Sequence, residues 1–310
     1  MLRELFVIPG LNLPVYGYGL MLVVAVLLAL RLAKFIAPRF GIDPEHFVTL
    51  AFIALFAGIV GARASHILEN WSTYTDPTRS VAQNVKAMVN LQQGGLTYYG
   101  GFLLGLPSCV AYGIWKKMPV LRSMDVSAPC LMVGLGVGRI GCFLNGCCWG
   151  ALCAAPWAVQ FPYESPPYVY QVEKKLIAPP AELLVESVDG TPGVLTRGEV
   201  GRDARLALLA RGQHSLPIHP VQIYSLITAL LIAGACTAML TLSPRPGLVF
   251  AVMMVLEGAG RFCLELLRVE PAVAHINTLN LSVSMVIGLC LIVTGALFGG
   301  YLLLRGKSAS

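Results

Sequence analysis

Apolar runs long enough to cross a lipid bilayer recur along this chain from one end to the other, broken by short stretches of proline, glycine and charge. A membrane-spanning helix needs about 20 such residues. Of the 310 residues, 56% are hydrophobic and 12% charged, and the mean hydropathy is +0.72, which leaves too little polar surface for a water-soluble globule of this size. The bilayer is the solvent for the body of the protein, and a soluble domain on a single anchor is excluded. The fold class is therefore an all-α polytopic membrane protein. Spans are predicted near 14–36, 46–67, 95–115, 126–146, 219–242, 247–267 and 278–303, seven crossings in all. The run Leu5 to Leu30 exceeds a secretory apolar core, follows one basic residue and lacks a small-residue cleavage site, so it reads as a retained helix.

An odd number of crossings puts the termini on opposite sides. Arg31, Lys34, Arg39, Lys116, Lys117, Arg122, Arg245, Arg305 and Lys307 fall on one side, against Arg3, Arg79, Lys86 and Arg268 on the other. The richer side is cytoplasmic, so the N-terminus is expected outside and the C-terminus inside. This asymmetry accounts for the net charge of +6; with no compact basic tract or nucleic-acid motif, nucleic acid is not an expected partner. The polar stretch 150–217 then lies outside, as a small periplasmic head domain of α+β type between transmembrane helices 1–4 (1–149) and 5–7 (218–310). Its apolar stretches Val169–Val172, Leu183–Val185 and Leu206–Leu209, with a turn signal at Asp189-Gly190, favour a folded cap over a flexible linker.

This orientation gathers the polar residues of the spans at the outer face: Tyr16, Tyr18, Arg63, His66, Tyr98, Tyr99, Arg139, Asn145, His219, Gln222, Tyr224, Arg261, Glu265 and Arg268. A site in the outer leaflet follows. Glu257, Arg261, Glu265 and Arg268 are spaced to share one helix face. Mutual neutralisation and snorkelling suffice for Glu257 and Arg268, whereas an arginine within a span, such as Arg261, usually faces a site. Arg139 sits among the glycines of Gly134-Leu-Gly-Val-Gly-Arg-Ile-Gly141, which suit tight helix packing but leave the arginine unexplained. The GxGxxG within this segment lacks the βαβ surroundings of a dinucleotide site. Two arginines from different helices at one depth would grip a lipid phosphate.

Glycine pairs 94–95 and 100–101 flank Tyr98 and Tyr99, which read equally as interfacial anchors and as site residues. His219 offers a base or an interfacial ring; His66, His214 and His275 point to no chemistry. Cys142, Cys147, Cys148 and Cys153 do not have the CxxC spacing of a zinc site, and no metal or organic cofactor is expected. Cys142 reads as packing; a disulfide, a reactive thiol beside Arg139 and inert burial stay open for the other three.

Four segments, Gly94-Gly-Leu-Thr-Tyr-Tyr-Gly-Gly101, Gly138-Arg-Ile-Gly-Cys-Phe-Leu-Asn-Gly146, His219-Pro-Val-Gln-Ile-Tyr224 and Gly260-Arg-Phe-Cys-Leu-Glu-Leu-Leu-Arg268, resemble in order and spacing the prolipoprotein diacylglyceryl transferase family. The resemblance implies seven transmembrane helices, an external head and a cavity open to the outer leaflet of the bacterial inner membrane. It implies phosphatidylglycerol as lipid donor, the lipobox cysteine of a prolipoprotein signal peptide as acceptor, a thioether product and release of glycerol phosphate. The family's essential arginines match Arg139 and Arg261, and its helix-six glutamate matches Glu265. Tyr99 stands where the family typically has a histidine often assigned as base, Cys142 where it has asparagine and Cys147 where it has glutamate. The expected catalytic residues are Arg139, Arg261 and Tyr99, the last orienting the thiol or acting as a weak base. Substrate contacts are expected from both arginines, Glu265, Tyr18, Asn145, His219, Gln222, Tyr224 and Gly100. A cysteine thiol ionises near pH 8.5 and needs only modest help. A rival of another class is a lipid-binding or lipid-moving paralogue without transfer chemistry. An ion-coupled transporter would need inverted repeats and mid-membrane polar groups, and the sequence has neither.

Overall fold

Proline and glycine punctuation cuts the chain into helices close to where the apolar runs predict them. A computed structural model describes residues 4–8, 13–75, 79–90, 97–186, 192–242, 245–268, 274–276 and 279–305. In chain order these form strands β1 (Glu4–Ile8) and β2 (Leu13–Tyr16), then helices α1 (Gly17–Ile36), α2 (Glu45–Glu69), α3 (Trp71–Tyr74), α4 (Val81–Val89), α5 (Tyr98–Trp115) and α6 (Val120–Asn145). They continue with α7 (Pro166–Glu173), β3 (Leu184–Glu186), β4 (Pro192–Val194), α8 (Arg197–Val200), α9 (Ala204–Arg211), α10 (Val221–Thr241), α11 (Leu248–Glu265), β5 (Ala274–Ile276), β6 (Leu279–Leu281) and α12 (Val283–Arg305). Among the described residues, five helices are long and apolar enough to cross a membrane: Gly17–Phe40, which extends α1, and α2, α6, α10 and α12. The predicted third and sixth spans coincide with α5 and α11, of 18 residues each. Apolar side chains stand exposed along these helices, Phe56 at 74% and Leu103 at 72% among them, as surfaces meant for lipid do.

Three predicted boundaries are corrected. The run from Leu5 is not helical throughout: β1 and β2 pair antiparallel, Val7 opposite Pro14 and Ile8 opposite Leu13, and the helix begins at Gly17. Phe6, Val7, Ile8 and Val15 favour strand, and Pro14 cannot serve a helix interior. The last span begins at Val283 rather than 278, because β5 and β6 form a second hairpin before it. The fourth begins earlier, at Val120, and takes in Asp125, which is fully buried and lies 3.8 Å from Arg122.

The chain divides into two compact units, Leu30–Ser127 and Met1–Ala29 with Ala128–Ser310. In the first, α2 packs on α5 through glycines. A Cβ at Gly61 or Gly100 would meet the carbonyl of the other, so only hydrogen allows this approach. Thr97 leads into α5, its N–H donating to Ala62 O at 3.0 Å and its hydroxyl to Glu69 at 2.9 Å. The α4 helix opens on a reciprocal Ser80–Gln83 capping box. Its far end is closed by buried Arg63 of α2, which donates to the carbonyls of Ala87, Met88 and Asn90 at 2.7–3.0 Å.

In the second unit, α11 and α12 make the closest helix contact: a Cβ at Gly258 would lie 2.5 Å from Gly288 O, and one at Gly295 2.9 Å from Ala251 O. Three of the four glycines around Arg139 serve packing as expected, and Gly138 meets nothing within 4 Å. Gly134 faces Ala25 and Ala29 of α1, Gly141 faces Tyr18 and Met21, and Gly136 faces Leu226 and Ala229 of α10. Residues 150–217 form a small α+β body with its own core of Tyr163, Tyr168, Val172, Leu183, Val200 and Ala210. The apolar stretches that marked it as folded supply Val172 and Leu183 directly, with Leu206 and Leu209 packed alongside. Strands β3 and β4 form its hairpin; Asp189-Gly190 lies outside the described residues. Backbone bonds stitch its base to the helices, Ala151 N–H to Leu267 O at 2.8 Å and His219 N–H to Ala151 O at 2.9 Å.

Candidate functional site

The contact of α11 with α12 fixes the depth at which two polar pairs meet. Arg261 Nε donates to Ser284 Oγ at 3.1 Å. One turn further along, Glu265, 5% exposed, accepts from Ser282 Oγ at 2.8 Å and lies 3.4 Å from Arg268 Nη1. Ser282 also accepts the N–H of Met285, so one hydroxyl ties the start of α12 to the buried carboxylate. From α6, Arg139 reaches the same small cavity of about 30 Å³, which Arg261, Glu257, Glu265, Arg268, Ser284, Gln222 and Cys148 also line. That volume is close to the space of one water.

The guanidiniums of Arg139, Arg261 and Arg268 share the cavity with the carboxylates of Glu257 and Glu265 and the sulfur of Cys148. Arg139 Nε is buried and donates to nothing among the described residues. A buried charged donor without an acceptor is costly, and an anion supplied by a ligand relieves that cost. The arrangement is chemically suited to hold an oxyanion such as a phosphate, with planar donors from two helices.

The predicted site residues fall into separate groups. Arg139, Arg261, Glu265 and Gln222 are brought together. Gln222 is 1% exposed and donates to Cys147 O at 2.7 Å, which ties α10 to the turn after α6. His219 and Tyr224 do not line the cavity: His219 Nδ1 sits 3.3 Å from Tyr224 Oη, which accepts from Trp157 Nε1 at 2.7 Å. Tyr18 packs beside Gly141, and Asn145 hydrogen-bonds the Cys147 thiol at the end of α6. Gly100 is buried between α2 and α5. Tyr99 opens α5, and its side chain lies outside the described residues.

Ser282 and Ser284 join these residues without having been among the candidates that the sequence offers. Their signal was a Ser-Val-Ser at the start of an apolar run, where hydroxyls cap or cross-link helices. The sulfurs of Cys142, Cys147 and Cys148 all lie within 4.8 Å of one another, a convergence that their spacing in the sequence does not announce. Cys148 is held well below the usual thiol range by hydrogen bonds from Cys142 and Cys147, with Arg268 and Arg139 adding positive charge. Cys153 stands apart, its sulfur accepting from Ala155 N–H at 3.4 Å.

Apolar helices around a small cavity lined by three arginines mark a multi-pass membrane protein whose polar groups converge between its helices. Residues 4–301 match the family model of prolipoprotein diacylglyceryl transferase, and the chain belongs to that family. Among its relatives is a phosphatidylglycerol–prolipoprotein diacylglyceryl transferase of Clostridium tetani, 27% identical over 92% of this chain and 92% of its own length. One of Corynebacterium glutamicum is 26% identical over 95% of this chain and 81% of its own. A third, of Rhodopirellula baltica, is 37% identical over 51% of this chain, a match that covers only 32% of that protein.

Proposed function

We propose that this protein transfers the diacylglyceryl group of phosphatidylglycerol to the lipobox cysteine thiol of a prolipoprotein signal peptide, forming a thioether and releasing glycerol phosphate. The observation that carries this reading is the buried, unpartnered Nε of Arg139 in the same cavity as Arg261. The family supplies the reaction class, and the relatives' names supply the two substrates.

In this mechanism Arg139 and Arg261 bind the phosphate of the donor lipid. The acceptor thiol loses its proton, and the thiolate attacks the glyceryl carbon next to the phosphate. The carbon–oxygen bond breaks with its electron pair passing to the phosphate oxygen, whose charge the guanidiniums stabilise. Ser284 holds Arg261 in position, and Glu265, fixed by Ser282 and Arg268, shapes the cavity wall. Tyr99 orients the thiol or serves as a weak base; full transfer by Tyr99→Phe would remove it from the mechanism. Tyr18, Gly100, Asn145, His219, Gln222 and Tyr224 complete the surroundings of lipid and peptide.

The reading carries seven crossings of the bacterial inner membrane, because an 18-residue helix such as α5 or α11 spans about 27 Å, close to the hydrocarbon thickness. The N-terminus and residues 150–217 then face the periplasm and the C-terminus the cytoplasm, with 1–149 and 218–310 forming the membrane body.

Transfer of radiolabelled diacylglyceryl from phosphatidylglycerol to a lipobox peptide by purified protein in vesicles tests the proposal. Turnover in the wild type, lost in Arg139→Ala and Arg261→Ala, supports it. Lipid bound without turnover, while a known active enzyme works in parallel, would replace it with a non-catalytic lipid-binding paralogue.

A further inference from the structure

Three cysteines at the mouth of α6 form a group that the transfer mechanism above leaves unused. Cys142 lies in the last turns of α6, and the chain then folds back over the helix end through two left-handed residues, Gly146 at φ 74° and Cys148 at φ 58°. For a residue with a Cβ, that backbone is uncommon. Cys147 is held from two sides: its N–H donates to Cys142 O at 3.1 Å and its carbonyl accepts from Gln222. The three Sγ atoms lie within 4.8 Å of one another, all three thiols are free, and Cys148 lines the Arg139–Arg261 cavity. Zinc–sulfur bonds of about 2.3 Å in a tetrahedron place sulfurs about 3.8 Å apart, so closure by about 1 Å completes such a set.

We propose that Cys142, Cys147 and Cys148 hold a thiophilic divalent cation, zinc first among them, whose fourth position faces the cavity and takes the acceptor cysteine as a thiolate. This rests on the transferase reading. Three thiolates on a divalent ion leave negative charge, which Arg139 and Arg268, both beside Cys148 on the cavity wall, offset. No histidine lines the cavity among the described residues, and a coordinating thiol needs none, because binding to the metal removes its proton to water. The metal-bound sulfur then supplies the electron pair that forms the sulfur–carbon bond. The carbon–oxygen bond breaks toward the phosphate, and the neutral thioether, a weak ligand, leaves the ion. Nothing is oxidised or reduced.

The test uses the full chain in lipid nanodiscs, stripped of metal under reductant and titrated with Zn²⁺ against a chromophoric chelator, with Co²⁺ as spectroscopic probe. One equivalent should bind, with thiolate-to-cobalt charge-transfer and tetrahedral ligand-field absorption. Both should vanish in Cys147→Ser/Cys148→Ser and persist in Cys290→Ser, whose sulfur lies on the exposed side of α12. A lipobox peptide should shift the ligand-field bands, and its cysteine-to-serine analogue should not. Metal-free protein should transfer about 100-fold more slowly, the scale on which assisted proton removal contributes. No wild-type binding at micromolar Zn²⁺, or a disulfide among the three cysteines in natively purified protein, would overturn the site. Full-rate transfer by metal-free protein would overturn it while leaving the transferase intact; cobalt bound with the expected spectrum but no transfer would overturn the transferase reading instead.

Discussion

Arg261 and Ser284 are joined across two helices, Nε to Oγ at 3.1 Å. The bond spans a contact in which Gly258 and Gly288 bring α11 and α12 backbone to backbone, so neither partner can drift far without moving a helix. Arg261 is thereby held in the rotamer that reaches the cavity.

Ser284→Ala should lower kcat for transfer about 5- to 10-fold, the equivalent of one hydrogen bond of about 1–1.5 kcal/mol, with little change in KM for the peptide. Ser284→Thr, which keeps the hydroxyl, should restore most of the rate. Equal losses in the two variants would deny the serine a positioning role.

Gly258→Ala should destabilise the protein by about 1–3 kcal/mol, because its new methyl meets the Gly288 carbonyl at 2.5 Å and both the side chain and the backbone N of Ile292 at 2.9–3.0 Å. Gly234→Ala on α10, with nothing within 4 Å, is the control and should be neutral or stabilising. Thermal unfolding in detergent checks both; equal midpoints would show that α11 and α12 separate more readily than their contact implies.

Glu265→Gln keeps a partner for Ser282 but removes the charge beside Arg268. With side chains 3% and 16% exposed, the pair is buried enough for the loss to reach about 3 kcal/mol. Combining it with Arg268→Met should cost less than the sum of the single changes, and strict additivity in unfolding experiments would refute the pairing.

The α+β body of residues 150–217 should carry an alkaline limit. Burial pushes the phenols of Tyr163 and Tyr168 up to about 12, and Tyr163 Oη donates to Leu195 O at 2.8 Å. Their ionisation in the unfolded chain comes near pH 10. The folded values are raised, so this stability is complete below about pH 10 and lost as pH rises toward about 12. Tyrosinate absorbance of the full chain should show two tyrosines that ionise only as the near-UV circular dichroism of this body collapses; in Tyr163→Phe the collapse should come at lower pH because the Leu195 bond is gone.

Much of the membrane body was legible because a lone apolar stretch in lipid can satisfy its backbone only as a helix. Hydropathy does not report period, however, and Phe6, Val7 and Ile8 are as apolar as the helix they precede. The hairpins at both ends were absorbed into spans for that reason. Arg139 and Arg261 were legible as a pair because ionisable residues in spans are rare and their depths follow from the span limits. The close approach of Gly100 to Gly61 was not legible, because a glycine pair does not name the helix it will meet.

By itself the sequence determined that the chain is a membrane protein of many helices, that a polar segment in its second half folds on its own core, and which arginines to watch. Tertiary structure alone decided that Ser284 holds Arg261, that Ser282 and Arg268 share Glu265, and that three thiols meet beside Arg139. The difference is physical. Hydropathy acts residue by residue and is written in composition, whereas these contacts depend on two glycine-tight helix packings and on left-handed turns at Gly146 and Cys148, whose outcome no single stretch of chain carries.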